Sequence, residues 1–282
     1  MSWNPPTYKL VFPDRQIILS RTHIMGVVNV TPDSFSDGGS FFEQDTAVKH
    51  ALGLVEEGAD IIDVGGESTR PGSSSVPADE EWRRVEPVIR ALERETDVPI
   101  SIDTMKPEVA WKAIEAGAIM VNDVSGLRNK EMVELVVREH VAVTIMHMLG
   151  EPKTMQENPV YQDVVKEVKE YLQSHMQAAI DAGVAKDSII IDPGIGFGKT
   201  VEHNLELINH VSEFAELKRP VMIGASRKSF IGSITRSDVA DRLEGSLAAA
   251  VMAVVRGAHI LRVHDVKQTM RAVKVAEAIL KA

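Results

Sequence analysis

The chain of 282 residues contains no cysteine, which excludes disulfides, thiol nucleophiles and cysteine-held zinc or iron–sulfur centres. It also lacks an excess of positive charge. With 31 Lys and Arg against 41 Asp and Glu, the formal net charge is −10, so neither nucleic acid nor an anionic membrane is an expected partner. No apolar run approaches the roughly 20 residues needed to cross a bilayer. The opening Met1-Ser2-Trp3-Asn4-Pro5-Pro6 has no basic region followed by an apolar one, so no secretion signal is read there. These absences predict a cytoplasmic protein. Internal repeats, low-complexity tracts and Pro/Gly-rich linkers are missing too, so residues 1–282 are expected to form one domain. What is present is 44% hydrophobic and 26% charged residues, enough apolar material for a substantial core.

Two short alternating stretches, 8–12 and 16–20, flank Pro13-Asp14-Arg15 and predict a hairpin. Beyond it, Val- and Ile-rich runs at 24–30, 60–65, 99–103, 120–124, 142–147, 188–192, 220–224 and 259–263 read as strands buried on both faces. Segments of helical period lie between them, among them 79–95, 107–116, 163–183, 241–257 and 266–281. Several end at a glycine, namely Gly58, Gly117, Gly183 and Gly257, which suits a left-handed helix terminus. Eight strand–helix units predict an α/β chain folded as a (β/α)8 TIM barrel, with an N-terminal β-hairpin (residues 1–20) capping its N-terminal mouth. A doubly wound open sheet is the runner-up. That fold has about six strands and a Gly-rich turn after the first, where this chain has Asn29-Val30-Thr31-Pro32.

Polar groups gather at the strand ends: Asn29, Asp63, Asp103, Asn122 with Asp123, His147, Asp192, Ser226-Arg227-Lys228, and Arg262 with His264. A barrel brings these ends to one mouth, where such folds keep their active sites. Any one of them could cap the following helix, but a whole ring of costly buried polar groups asks for a ligand. The loops after the first two strands mix Gly, Ser and Pro with one large side chain each, Phe35 and Arg70, and read as lids. Ser226-Arg227-Lys228-Ser229 precedes a helix and suggests an anion site. Arg262 and His264, two apart on the last strand, project from one face; Arg262 equally suits an ion pair with a strand-end Asp. The glycines of Asp192-Pro193-Gly194-Ile195-Gly196-Phe197-Gly198-Lys199 are spaced wrongly for a phosphate loop and read as a close-approach loop beside a ligand.

Two of these stretches, Gly26-Val27-Val28-Asn29-Val30-Thr31-Pro32-Asp33-Ser34-Phe35-Ser36-Asp37-Gly38-Gly39 and Asp63-Val64-Gly65-Gly66-Glu67-Ser68-Thr69-Arg70-Pro71-Gly72, resemble the signatures of dihydropteroate synthases. Matches in family order continue through Ser101-Ile102-Asp103-Thr104, Met146-His147-Met148, Gly224-Ala225-Ser226-Arg227-Lys228-Ser229-Phe230 and Arg262-Val263-His264-Asp265. The resemblance implies a pterin-binding barrel that joins a pterin diphosphate to 4-aminobenzoate, works with Mg²⁺ and forms a homodimer. It implies that Asp103, Asp192, Asn122 and Lys228 meet the pterin edge. Met146 and Phe197 would wall the ring, and Arg262 would stack on its face. Asn29, Thr69, Arg262 and His264 would surround the diphosphate, with the metal near Asn29. Ser229 would face the aminobenzoate carboxylate, and Asp33, Phe35, Arg70 and Pro71 would lie in the covering loops. Sensitivity to sulfonamide analogues of 4-aminobenzoate is a further implication.

Other enzyme classes fit less well. A pterin-using corrinoid methyltransferase needs no diphosphate site. A metallohydrolase barrel would want His-x-His after the first strand. A Schiff-base aldolase could use Lys228, but its Ser and Arg neighbours suit an anion better. A pterin-binding module that has lost catalysis would show damage at Asn29, Arg262 or His264, and all three are intact.

Overall fold

A computed structural model describes residues 6–31, 40–68, 73 and 75–282. Strands β1 (Tyr8–Val11) and β2 (Gln16–Leu19) pair antiparallel, the hairpin that the alternation predicts. Eight strands follow: β3 (His23–Asn29), β4 (Ile61–Gly65), β5 (Ile100–Asp103), β6 (Met120–Asp123), β7 (Ala142–Met146), β8 (Ile189–Asp192), β9 (Met222–Ile223) and β10 (Ile260–Val263). All neighbours are parallel, in the order β8-β7-β6-β5-β4-β3-β10-β9. A bridge between Ile191 and Val221, with Ile191 N donating to Pro220 O at 3.0 Å, brings the two ends of the sheet together. The result is a nearly closed (β/α)8 barrel and not an open sheet. β9 is shorter than the apolar run 220–224, because Pro220 has no N–H to give to a ladder.

The connecting helices are α1 (Ser40–Glu56), α2 (Ala78–Glu95), α3 (Pro107–Glu115), α4 (Lys130–Glu139), α5 (Val164–Asp181), α6 (Val201–Asn209), α7 (Ser229–Thr235), α8 (Leu243–Val255) and α9 (Val266–Lys281). Their sequences explain their placement. In α2, Val85, Val88, Ile89 and Leu92 recur at helical spacing and are the buried face, while Asp79, Glu80 and Glu81 sit at the positive end of the helix dipole. Asp163 caps α5 by accepting from Lys166 N at 3.0 Å. Gly58, Gly117, Gly183 and Gly257 all take positive φ two residues past a helix, as anticipated. Among the described residues no helix is long and apolar enough to cross a membrane.

The two-residue alternation of the strands sorts the barrel into an outer and an inner set. Outward residues such as Val28, Ile62, Ile102, Val121, Ile145, Ile191 and Leu261 join the helices in one large core. Inward residues divide by height. Met25, Ile61, Met120, Ile190, Met222 and Ile260 form an apolar floor, against which the hairpin packs Leu10, Phe12 and Leu19. The hairpin thus seals the N-terminal end, and each strand, one or two inward positions further on, carries its inward side chains toward the C-terminal mouth.

If the hairpin shares the cooperative fold, Phe12→Ala should lower the unfolding free energy by about 3–5 kcal/mol, the usual cost of emptying an aromatic site. The measurement is the urea midpoint. A change within about 0.5 kcal/mol would mean that the hairpin is not part of the unit that unfolds.

Candidate active site

Above the floor the inward positions turn polar: Asp63 on β4, Ser101 and Asp103 on β5, Asn122 on β6, Thr144 on β7, Asp192 on β8 and Arg262 on β10 are buried or nearly so. Arg262 joins three strands. Its Nε donates to Asp63 Oδ2 at 2.6 Å and one terminal nitrogen donates to Asp103 Oδ2 at 2.6 Å. Asn122 Nδ2 donates to the same Asp63 oxygen at 2.9 Å. Burial opposes the Arg262 charge, but the carboxylates of Asp63 and Asp103 outweigh it and raise its pKa. Burial raises Asp103 to about 7 even though Arg262 pulls the other way.

This clamp leaves acceptors over. Asp63 Oδ1, Asp103 Oδ1 and Asn122 Oδ1 are buried without a hydrogen-bond partner among the described residues. Each such atom costs about 1–3 kcal/mol, a cost that a ligand carrying N–H groups would offset. Asp192 stands in the same ring. Its Oδ1 accepts from Gly194 N at 2.7 Å, and burial raises its pKa to about 6 despite that bond.

The loop after Asp192 is held at nearly every peptide. Gly196 N donates to Asn204 Oδ1 at 2.6 Å, Gln156 Nε2 to Gly196 O at 2.8 Å, and Tyr161 OH to Gly198 O at 2.9 Å. Gly194 has φ +70°, and a side chain there would run into the carbonyl of His147, so only glycine lets the loop lie against β7. Lys199 is buried beneath it, donating to Phe197 O at 2.9 Å and lying 2.9 Å from His147 Nδ1. Burial lowers Lys199 to about 7; burial, reinforced by Lys199, lowers His147 to about 2. The tethered loop presents Phe197, which packs with Met146, Val124, Met148 and Met155 in an apolar cluster. Lys228 Nζ lies 4.1 Å from the centre of the Phe197 ring, within cation–π range.

The other predicted residues separate. Ser226-Arg227-Lys228-Ser229 does not converge on one anion: Arg227 turns outward at φ +57° to pair with Asp265, Ser226 contacts His264, and Ser229 is exposed at the start of α7. Asp123 leaves the site altogether. It points outward from β6 and accepts from Ser125 N and Leu127 N at 2.8 and 3.1 Å, a loop-capping role set by its odd position in the alternation. His264 follows β10 directly and, like Arg262, occupies an inward position; burial, then Arg262 and Arg227, lower it to about 3. Asn29 ends β3, half-buried. Among the described residues no three His, Asp or Glu cluster as metal ligands. One amide still suits Mg²⁺, which keeps waters and takes substrate phosphates more often than an all-protein cage. The covering-loop residues Asp33, Phe35, Thr69, Arg70 and Pro71 lie outside the described residues. The stem of the second loop is clamped: Glu67 Oε2 accepts from Val76 N at 2.7 Å and from Lys106 Nζ at 2.6 Å, and the lysine also reaches buried Glu81.

Asp63, His147 and Lys199 were legible as polar strand-end or loop residues but carried no role of their own in the sequence, and Ser226 entered only as part of an anion site. For Asp63 the signal was a carboxylate inside an otherwise apolar run, Ile61-Ile62-Asp63-Val64, which demands a buried partner.

Comparison with known proteins agrees with this geometry. The family described as pterin binding enzyme matches residues 25–264. The dihydropteroate synthase of Escherichia coli strain K12 is 47% identical over 97% of both chains. The barrel superposes on a Xanthomonas albilineans dihydropteroate synthase with 4-aminobenzoic acid at a TM-score of 0.92 (46% identity, 98% of this chain and 100% of that one). It superposes on the same organism's enzyme in complex with 7,8-dihydropteroate at 0.88 (44% identity, 97% and 99%). The ring of inward polar groups, the glycine loop and this near-complete alignment together assign the chain to the dihydropteroate synthase family of pterin-binding enzymes.

Proposed function

We propose that the chain condenses 6-hydroxymethyl-7,8-dihydropterin diphosphate with 4-aminobenzoate, giving 7,8-dihydropteroate and diphosphate. The observation that carries this is the set of unpaired buried acceptors on Asp103 and Asn122, next to Asp192 and opposite an apolar wall. An aminopyrimidinone edge offers several N–H donors and one acceptor on a flat apolar ring. Asp103, Asp192 and Asn122 match the donors, Lys228 matches the acceptor, and Met146 and Phe197 match the ring. Arg262, held by two carboxylates, lays its planar guanidinium along the ring face.

The C–O bond to the leaving group breaks first, and its electron pair leaves with the diphosphate. The methylene cation that remains is stabilised by electron donation from the pterin, with the carboxylates of Asp103 and Asp192 near. The arylamine of 4-aminobenzoate, uncharged at neutral pH, then attacks through its lone pair and afterwards loses a proton, so no strong base is required. Arg262 and His264 meet charge developing on the diphosphate, which is electrostatic stabilisation of the transition state. Mg²⁺ at Asn29, when bound, supplies further neutralisation of that charge. Thr69 belongs with the diphosphate contacts, and Ser229 with the aminobenzoate carboxylate. Asp33, Phe35, Arg70 and Pro71 belong to the loops that exclude water from the cation.

The active unit is a homodimer in this proposal, a second copy of the chain covering α8 and its neighbour α9. α8 is apolar nearly all round, yet Met252 is 43% exposed, and on α9 Val275 and Ile279 are 61% and 70% exposed. Apolar area of this kind usually marks an interface. Replacing Met252 and Ile279 with Glu should halve the mass measured by sedimentation equilibrium. A wild-type chain that sediments as a monomer would overturn the dimer.

The reaction is tested by following diphosphate and 7,8-dihydropteroate together from both substrates with Mg²⁺. The two should form one for one, and Arg262→Ala should lower kcat/KM by roughly 100-fold or more. The variant should also lose about 3–5 kcal/mol of stability, because Asp63 and Asp103 would be buried without their cation. Diphosphate without dihydropteroate would mean a different acceptor; no release of either would refute the proposal.

Burial of the two carboxylates sets a pH dependence. Protonation turns one oxygen of Asp103 or Asp192 from an acceptor into a donor that opposes a ligand N–H, and burial raises their pKa values to about 7 and about 6. Affinity for a 7,8-dihydropterin lacking the diphosphate should therefore fall as pH drops through that range and level off above it. Calorimetric titration between about pH 5 and 8 reads this directly. A flat profile would show that neither carboxylate holds the ring as an anion.

A further inference from the structure

Ser226 and His264 stand side by side just past the ends of β9 and β10. Met222 and Ile223 on β9 are in register with Ile260 and Leu261 on β10, and both segments then run on toward the C-terminal mouth. His264 continues the inward parity of Arg262. The Ser226 hydroxyl oxygen accepts from His264 N at 3.3 Å and lies 3.1 Å from His264 Nδ1. Ser226 is buried. Its own peptide neighbour is anchored, because Arg227 N donates to Ser246 Oγ at 3.0 Å while the Arg227 side chain turns away to Asp265.

We propose that Ser226 is a positioning residue that holds His264 in the tautomer protonated on Nε2, making that nitrogen a hydrogen-bond donor to the departing diphosphate. The inference rests on the reaction proposed above, in which His264 faces the leaving group. The chemistry of one hydroxyl decides the tautomer. Its oxygen already receives the backbone N–H of His264, and among the described residues Nδ1, 3.1 Å away, is the group placed to accept its own proton. A proton on Nδ1 would instead direct two N–H groups at the oxygen and leave a buried hydroxyl proton without an acceptor among the described residues. In the unliganded site burial and the cations Arg262 and Arg227 lower the ring to about 3, so the imidazole that receives the substrate is neutral and one nitrogen alone carries a proton. The bond at one ring nitrogen therefore sets what the other can do. With Nε2–H the ring attracts an anion; with a lone pair on Nε2 it would repel the charge that develops as the C–O bond breaks.

The wild-type enzyme, labelled with 15N-histidine, tests this without any change at Ser226. Long-range proton–nitrogen spectra, with His264 identified by its loss in His264→Gln, should show a bare Nδ1 and a protonated Nε2. Ser226→Ala should mix or reverse the tautomers and lower kcat about ten-fold, with KM for 4-aminobenzoate unchanged, and Ser226→Thr should restore both. A protonated Nδ1 in the wild type overturns the inference, as does Ser226→Ala with an unaltered tautomer and kcat. Failure of the reaction itself would register differently, as wild-type enzyme that releases no diphosphate whatever the state of the ring.

Discussion

A guanidinium inside a parallel barrel has to be answered by charge, and in this chain one arginine is answered twice. Arg262 reaches from β10 across the lumen to Asp63 and Asp103, at 2.6 Å each. Removing three ions from water is costly, and only close contacts in a dry interior offset that cost. The arrangement therefore tolerates little displacement of β4, β5 or β10 relative to one another. It also distributes hydrogen-bonding capacity. Asp63 spends one oxygen on both Arg262 and Asn122, which orients the amide, and the remaining oxygens of Asp63, Asp103 and Asn122 are left over. The same bonds that brace the barrel thus prepare a face of acceptors at its mouth.

Below that face the interior is apolar, closed by the hairpin; above it the interior is polar. A single fold separates stability from chemistry along one axis in this way. The floor contributes hydrophobic burial, whereas the upper ring holds charges and unmade hydrogen bonds that a protein without a ligand would do better to lack. The loop after Asp192 belongs to neither layer. Its carbonyls are tied by Gln156, Tyr161 and Lys199, from two different parts of the chain, and the outcome is a fixed aromatic wall at Phe197. Burial lowers the Lys199 pKa to about 7, and its contacts with a carbonyl and an imidazole hold the loop against β7.

Much of this was legible in the order of residues. The eight apolar runs became the eight strands with shifts of one or two residues, because β-branched residues in short buried runs leave few other conformations that satisfy their backbone groups. Where a boundary moved, a local cause is visible: Pro220 cannot join a ladder, and residues 239–241 form a tight turn before α8 begins at Leu243. The site was legible as a set of inward strand ends, since Asn29, Asp103, Asn122, Met146, Asp192, Arg262 and His264 all fall on the inner parity. Asp123 did not, for the same reason in reverse: one step along β6 carries a side chain to the other face.

The period of two and the alternation of strand with helix are properties of the chain alone, so barrel, floor and the identity of the inward residues follow from the sequence by itself. Pairing is different. Asp63 and Arg262 are 199 positions apart, Ser226 and His264 are 38 apart, and Lys199 meets His147 across 52. Which lone pair is spent and which stays open depends on distances of a few tenths of an ångström between strands. No local pattern encodes these distances; closure of the barrel sets them. That is why the sequence could name the groups at the mouth, while only the tertiary structure decided that Arg227 turns away, that Asp63 holds the clamp, and that Ser226 touches the imidazole.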